Sequence, residues 1–241
     1  MGIVISGGAS GIGLACAQHF AKAGHQVAIL DLNPSIQEAL KALPGSGHSA
    51  HAVNVCDSAA VEEAIASISA NWPITGLVIS AGIVSQTPLL EITAQEFSKV
   101  LDVNVTGVQN VIAPVARGMV AAAVKGSIVV LGSVAAFNGG GFMGRGAYAA
   151  SKAAVLGLSR SYSRELAPAG IRINVVAPGA TETPMTQALD AEKRAKIMAQ
   201  MPNGSFLDSS EIVNAINFLI SDDASAINGQ TLHANGGSYF G

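Results

Sequence analysis

The sequence is poor in charged residues. They make up 12% of the 241 residues, while apolar residues make up 49%; an average soluble domain is about 25% charged. Because so few charged groups must cover the surface, we expect part of it to be buried by self-association. The alternative is a monomer rich in alanine and glycine. The net charge of −3, without basic stripes, argues against a nucleic-acid partner or an anionic membrane.

Cysteines and long apolar runs are also scarce. Cys16 and Cys56 stand in no CxxC or histidine-spaced pattern, which excludes a disulfide framework and predicts no metal site. The first apolar residues follow no basic segment and are interrupted by Ser6, Gly7 and Gly8, so a signal peptide is not expected. No uninterrupted apolar run approaches the roughly 20 residues of a membrane span. We therefore expect a protein of the reduced cytoplasm.

What the sequence does contain is an alternation of short β-branched apolar runs with longer helix-like segments. This order predicts a doubly wound α/β fold of the Rossmann type, with seven parallel strands in three α/β/α layers and one domain over residues 1–241. The predicted strands are Ile3 to Ser6, Gln26 to Asp31, Ala50 to Asn54, Gly76 to Ser80, Ser127 to Leu131, Arg172 to Val176 and Gln230 to His233.

A glycine-rich turn follows the first predicted strand. Gly7, Gly11 and Gly13 occur directly before a predicted helix at Ala15 to Ala23. Glycines at these places let the backbone approach a pyrophosphate closely, and the N–H groups and dipole of the helix start attract the anion. The turn therefore predicts a dinucleotide site.

Two aspartates follow strands on the same side. Asp31 ends the second strand, where its carboxylate can accept hydrogen bonds from the adenosine ribose and repel a 2′-phosphate. Since residues 30–40 and the turn contain no arginine, NAD(H) is predicted over NADP(H). Asp57 is a second candidate, near the adenine, although N-capping of the helix at residues 59–70 is an equally good interpretation.

Four side chains indicate proton chemistry. Tyr148 and Lys152 are four residues apart in a helix-like segment, so they share a face, and the ammonium can favour the ionised phenol, which can then act as a base. Ser133 follows the fifth strand and should emerge at the carboxyl edge of the sheet, where ligands bind. Asn104 lies in a helix-like stretch, where a buried amide needs specific partners. We expect all four at one edge.

These motifs, in this order, resemble the short-chain dehydrogenase/reductase family over the whole chain. The resemblance also rests on Pro178-Gly179, Thr183-Pro184-Met185, Asn228-Gly229-Gln230-Thr231 and Gly236-Gly237. It implies that Tyr148 is the acid/base and that Lys152 lowers its pKa and binds the nicotinamide ribose. It further implies that Ser133 holds the substrate oxygen and that Asn104 positions a water in a proton relay.

The turn, the strand ends and the resemblance together predict the cofactor-binding residues. They are Gly7, Ser10, Gly11, Ile12, Gly13, Asp31, Leu32, Asn54, Val55, Asp57, Ala81, Gly82, Val103, Tyr148, Lys152, Pro178, Gly179, Thr181 and Thr183. Thr183 resembles part of the segment that binds the nicotinamide carboxamide; its other interpretation is an N-cap for a helix at residues 185–199.

Two segments depart from the family pattern. Residues 78–82 read Val-Ile-Ser-Ala-Gly where the family commonly has Asn-Asn-Ala-Gly, which weakens the usual bracing around the cofactor. The spacing between Ser133 and Tyr148 is also longer than is common, and the glycines at 139–141 look like the insertion. A glycine loop can absorb extra residues without moving either end.

The predicted function is hydride transfer between NAD(H) and a mostly apolar secondary alcohol or ketone, as in an alcohol dehydrogenase or carbonyl reductase. Apolar residues within 185–206, together with Phe142 and Met143, suggest an uncharged, mostly apolar substrate. The enzyme alternative is a 3-oxoacyl thioester reductase, which in this family usually uses NADPH, a choice that Asp31 opposes. A cofactor-binding regulatory protein without turnover is the alternative from another class. Because the family commonly forms homotetramers, we expect a tetramer, with a dimer as second choice.

Overall fold

The computed structural model of the protein describes residues 1–141 and 144–241. Within these ranges seven strands form one parallel sheet in the order β3-β2-β1-β4-β5-β6-β7. The strands are β1 (Gly2–Ser6), β2 (Gln26–Asp31), β3 (Ser49–Ala52), β4 (Ile74–Ile79), β5 (Ser127–Leu131), β6 (Arg172–Pro178) and β7 (Thr231–Ala234). The predicted doubly wound, three-layer α/β fold is confirmed.

Helices cover both faces of the sheet. They are α1 (Gly11–Lys22), α2 (Ile36–Lys41), α3 (Ser58–Ser69), α4 (Ala94–Leu101), α5 (Gly107–Ala121), α6 (Ala135–Asn138), α7 (Ala147–Leu166), α8 (Pro184–Gln187), α9 (Ala191–Met198) and α10 (Ser209–Ile220). A π-helical turn (Asp102–Thr106) joins α4 to α5, and short 3-10 turns occupy Ala167–Ala169 and Asp222–Ala224. None of the helices in the described ranges has the length and apolar character that crossing a bilayer requires.

The core has two halves, one on each face of the sheet. All five residues of β1 and of β5 are buried, and their side chains alternate between the faces. One half packs strand residues such as Val4 against α3, α5 and α7. The other packs strand residues such as Ile5 against α1, through Phe20, and against α10, through Ile216. Burial on both faces explains why these strands are nearly continuous apolar runs.

Strand ends follow pairing partners, which the apolar runs alone do not reveal. The sequence predicts β3 at residues 50–54, but the strand begins at Ser49 and ends at Ala52. Among the described strands it pairs with β2 alone, and β2 ends at Asp31, opposite Ala52. β4 begins two residues earlier than predicted, at Ile74, and β6 continues to Pro178 beside β7. The strand order reverses between β1 and β4, which opens a crevice at the carboxyl edge of the sheet.

Candidate active site

A cavity of about 1210 Å³ occupies this crevice. Most of the residues predicted to bind the cofactor or to take part in catalysis line it: Gly7, Ser10, Gly11, Ile12, Asp31, Leu32, Asn54, Val55, Ala81, Gly82, Val103, Ser133, Tyr148, Lys152, Pro178, Gly179, Thr181 and Thr183. Three others, Gly13, Asp57 and Asn104, do not. The predicted contribution of Phe142 and Met143 lies outside the described residues.

The glycine-rich turn is built for close backbone approach. Gly7 has a φ of +70°, and a Cβ there would lie 2.5 Å from the amide nitrogen of Ala81. Ser10 precedes α1, but its side chain makes no capping hydrogen bond, so an anion can take the N–H groups of the first helical turn. The cavity and this turn therefore fit the pyrophosphate of a nicotinamide dinucleotide.

Gly13 and Asp57 have structural positions rather than positions on the cavity wall. A Cβ on Gly13 would lie 2.0 Å from the carbonyl oxygen of Gly7, so the glycine allows α1 to pack directly on the turn. The carboxylate of Asp57 accepts a hydrogen bond from the N–H of Ala60 at 3.1 Å and caps α3. Of the two interpretations of Asp57, the structure contains the N-cap.

Asp31 connects the turn to the end of β2. Its Oδ2 accepts a hydrogen bond from the N–H of Ala9 at 2.9 Å, and its Oδ1 accepts one from the N–H of Asn33 at 2.9 Å. These bonds fix the carboxylate at the wall of the cavity. The next residue, Leu32, is 63% exposed, so this end of the cavity combines a carboxylate with an apolar side chain.

Lys152 is a buried cation in the wall of the cavity. Its Nζ donates a hydrogen bond to the carbonyl oxygen of Leu131 at 2.7 Å, at the end of β5, and lies 5.8 Å from the centroid of the Tyr148 ring. Burial lowers the pKa of Lys152 to about 8, because the low-dielectric surroundings penalise the charged form. The lysine is therefore near the phenol, as the helical spacing predicts.

The pKa of Tyr148 differs from the expectation. Burial raises it above its ordinary value, and a hydrogen bond with Ser133 opposes part of that rise. The physical reason is that protein groups surround the half-buried phenol in the cavity wall, while the Lys152 ammonium bonds to a backbone carbonyl and faces the ring. In the protein itself Tyr148 is therefore a neutral phenol, which can donate a proton.

The described part of the segment between Ser133 and Tyr148 contains a short helix and a bridged turn. After Ser133 the chain makes the short helix α6 and turns at Gly139 and Gly140, whose φ values are +79° and +91°. Gly140 then bridges Arg145 in antiparallel fashion, so the chain returns close to where it left. Ser133 and Tyr148 therefore remain close enough for the serine side chain to lower the pKa of the phenol.

Asn104 lies in the π-helical turn and is completely buried. Its Oδ1 accepts a hydrogen bond from the N–H of Ile83 at 2.8 Å, and its Nδ2 donates to the carbonyl of Ile83 and to the hydroxyl of Ser151, each at 2.9 Å. These bonds connect the segment after β4 to α7. They supply bracing in the region where the family's usual asparagines are missing.

Thr183 both lines the cavity and caps a helix. Its side chain caps α8 in a capping box with Thr186. The helix it starts has only four residues, because the predicted long helix is divided into α8 and α9. Leu131, Gln200 and Ser238 also line the cavity; Leu131 could have been found from its place at a strand end, whereas the other two give no sequence signal.

A phosphate-accepting turn, an acidic residue at the end of β2 and a Ser-Tyr-Lys group at one crevice define a dinucleotide-dependent oxidoreductase. A family model described as enoyl-(acyl carrier protein) reductase matches residues 7–239. The chain belongs to the short-chain dehydrogenase/reductase family, and its cofactor is a nicotinamide dinucleotide, NAD(P).

Similar proteins match along almost their whole length. The chain is 37% identical over 237 residues to the 3-oxoacyl-[acyl-carrier-protein] reductase FabG of Escherichia coli; the match covers 98% of this chain and 96% of that protein. It is 35% identical over 240 residues to the 3-oxoacyl-[acyl-carrier-protein] reductase MabA of Mycobacterium avium, covering 99% and 90%. It is 32% identical over 248 residues to the (3R)-3-hydroxyacyl-CoA dehydrogenase of Canis lupus familiaris, covering 98% and 95%.

Proposed function

We propose that the protein interconverts 3-oxoacyl and 3-hydroxyacyl thioesters, with reduction as the favoured direction at neutral pH. The main support for this proposal is the full-length similarity to enzymes whose names describe the two directions of this reaction. Both act on the oxygen at carbon 3 of an acyl thioester. The similarity therefore favours the 3-oxoacyl thioester alternative over the broader prediction of an apolar secondary alcohol or ketone as substrate.

Ser133, Tyr148 and Lys152 have separate roles in the proposed reaction. The Ser133 hydroxyl holds the substrate oxygen, and the neutral phenol of Tyr148 donates a proton to that oxygen as it gains negative charge. Lys152 places a positive charge beside the phenol and can bind the nicotinamide ribose. When bound, the dinucleotide supplies the hydride. Because burial keeps Tyr148 protonated, its resting state suits reduction.

The substrate side of the cavity suits an acyl chain. Met185, Ile197 and Met201 line it, and methionine side chains adapt to chains of different shape. The polar Gln200 is close to them in sequence and lines the same cavity. We propose that the apolar residues take the acyl chain and that the thioester lies towards the entrance.

We propose NAD(H) as the cofactor. The 2′-phosphate of NADP(H) would meet the fixed carboxylate of Asp31, while Leu32 offers it no positive charge. The test compares kcat/KM for NADH and NADPH in the wild type and in Asp31→Ser. We expect NADH to be preferred in the wild type and the preference to fall in the variant. Dominant use of NADPH by the wild type would refute this assignment.

We further propose a homotetramer in the cytoplasm, with a dimer as second choice. The outer face of α7 exposes small residues, Ala150, Ala153 and Gly157, which permit close helix packing. Both cysteines are unpaired, which suits a reducing compartment. Sedimentation should show a tetramer at micromolar concentration; a monomer would refute the assembly.

The activity test uses one 3-oxobutanoyl group on two carriers, coenzyme A and an acyl carrier protein, with NADH oxidation followed by absorbance. We expect turnover on at least one carrier and its loss in Tyr148→Phe, with NADH binding retained. A set of simple apolar ketones serves as the comparison. If ketones turn over and neither thioester does, the broader alcohol/ketone reading replaces ours. NADH binding without any turnover would indicate a regulatory protein.

A further inference from the structure

The substrate side of the cavity is covered by a segment after β6 that we call the lid, residues 184–201. It contains α8 and α9, and Met185, Ile197, Gln200 and Met201 face the cavity from it. A lid that shapes a binding site must be held relative to the rest of the site. The contacts of Arg194, in the middle of α9, supply such a connection.

The Arg194 guanidinium makes three hydrogen bonds. Its Nη2 and Nη1 donate to the two carboxylate oxygens of Glu182 at 2.5 and 3.2 Å, and Nη1 also donates to the carbonyl oxygen of Thr186 at 3.0 Å. The guanidinium carbon lies 4.4 Å from the centroid of the Phe206 ring. Arginine can bond a carboxylate with two nitrogens while its guanidinium stacks on an aromatic ring, and lysine cannot.

Glu182 belongs to the cofactor side of the cavity. It stands between Thr181 and Thr183, which both line the cavity. Its own backbone is fixed, since its N–H donates to the carbonyl of Leu207 at 2.8 Å and its carbonyl accepts from the hydroxyl of Ser209 at 2.7 Å. The ion pair therefore joins α9 to a segment that is anchored independently of it.

The other cations of α9 differ from Arg194. Lys193 pairs with Asp190 at 3.4 Å, and Lys196 pairs with Glu192 at 2.5 Å. Both pairs lie within the lid, and every one of their side chains is more than half exposed. The side chains of Arg194 and Glu182 are only 25% and 34% exposed. Exposed pairs contribute little, so Lys196 offers a matched control on the same helix.

We propose that Arg194 is a positioning residue, which holds the lid over the acyl-binding side of the cavity through Glu182. Arg194 is not among the residues that line the cavity around Ser133 and Tyr148, so its removal should weaken substrate binding more than it slows the chemical step. Because Glu182 stays anchored to Leu207 and Ser209, cofactor binding should change little. This inference rests on the proposed function only for the choice of substrate.

The test compares Arg194→Met, Glu182→Gln, the double variant and the control Lys196→Met. We expect KM for the 3-oxobutanoyl thioester to rise about tenfold in each single variant, with kcat and the Kd of NADH changing less than about threefold. The double variant should be no worse than Arg194→Met, because the ion pair is already lost in that single variant. Arg194→Lys should restore KM only in part, and Lys196→Met should leave it unchanged.

Hydrogen exchange provides a readout that needs no substrate. Amides of residues 188–201 should exchange faster in Arg194→Met and Glu182→Gln than in the wild type, and not in Lys196→Met. Additive effects of the two single variants, or an equal effect of Lys196→Met, would overturn the inference. If the wild type reduces no thioester, the proposed function fails and the exchange result alone decides the role of Arg194.

Discussion

Replacing the buried cation Lys152 by methionine should make the protein more stable while abolishing turnover. Burial lowers the pKa of this lysine from 10.5 to about 8. One pKa unit corresponds to about 1.4 kcal/mol, so the charged form costs the folded state roughly 3 kcal/mol. Methionine removes this cost and also the hydrogen bond to Leu131, which contributes about 1.5–3 kcal/mol. The expected net gain at pH 7 is about 1 kcal/mol.

The pH dependence separates this cause from general packing effects. Since the folded pKa is below the unfolded one, the unfolded chain binds more protons between about pH 8 and 10.5. The lysine's cost is therefore complete below about pH 8 and declines as the pH rises through that window. Between pH 7 and 9.5 the free energy of unfolding of the wild type should rise by about 2 kcal/mol relative to Lys152→Met.

The assay is urea unfolding of the wild type, Lys152→Met and the exposed-lysine control Lys196→Met at pH 7 and 9.5. Lys196→Met should follow the wild type at both pH values, because its lysine is half exposed. The reasoning is refuted if Lys152→Met is less stable than the wild type by more than about 1 kcal/mol at pH 7. A difference between them that does not change with pH would refute it equally.

Two further substitutions test the turn and the proton donor. Ser133→Ala removes the hydrogen bond that lowers the pKa of Tyr148, so the pH–rate profile of 3-hydroxyacyl oxidation should shift to higher pH; an unshifted profile would contradict this. Gly13→Ala would place a Cβ 2.0 Å from the carbonyl of Gly7 and should cost about 1–3 kcal/mol or more in urea unfolding. Its control, Gly118→Ala, has nothing within 4 Å and should be neutral or stabilising.

The strands could be predicted where burial alone determines them. β2 and β5 have the predicted bounds, because their apolar runs are buried on both faces. β3 reads Ser-Ala-His-Ala and is not fully buried, so its apolar pattern is weak. Its ends depend on β2, its neighbour in the described sheet, and a pairing partner distant in sequence cannot be read from a local pattern.

The residues of the site could be predicted where they follow the ends of strands, because the carboxyl ends of parallel strands meet at one edge of the sheet. That geometry brings the turn after β1, Asp31 and Ser133 to the same cavity. The same geometry does not distinguish a residue that lines the cavity from one that supports the cavity wall. Gly13 and Asn104 are supporting residues. Their roles depend on contacts with Gly7 and Ile83, which follow from three-dimensional packing.

The spacing of Tyr148 and Lys152 predicts their proximity but not their charge states. The ammonium bonds to the carbonyl of Leu131, and burial raises the pKa of the phenol and lowers that of the lysine. Both shifts have the same cause, the low polarity of the site, which disfavours the charged form of either group. Reduction uses the neutral phenol that these surroundings stabilise. Oxidation requires a phenolate, and therefore additional positive charge close to its oxygen. The same burial that makes Tyr148 a poor base in isolation makes any charge brought beside it more effective, because electrostatic interactions are less screened there.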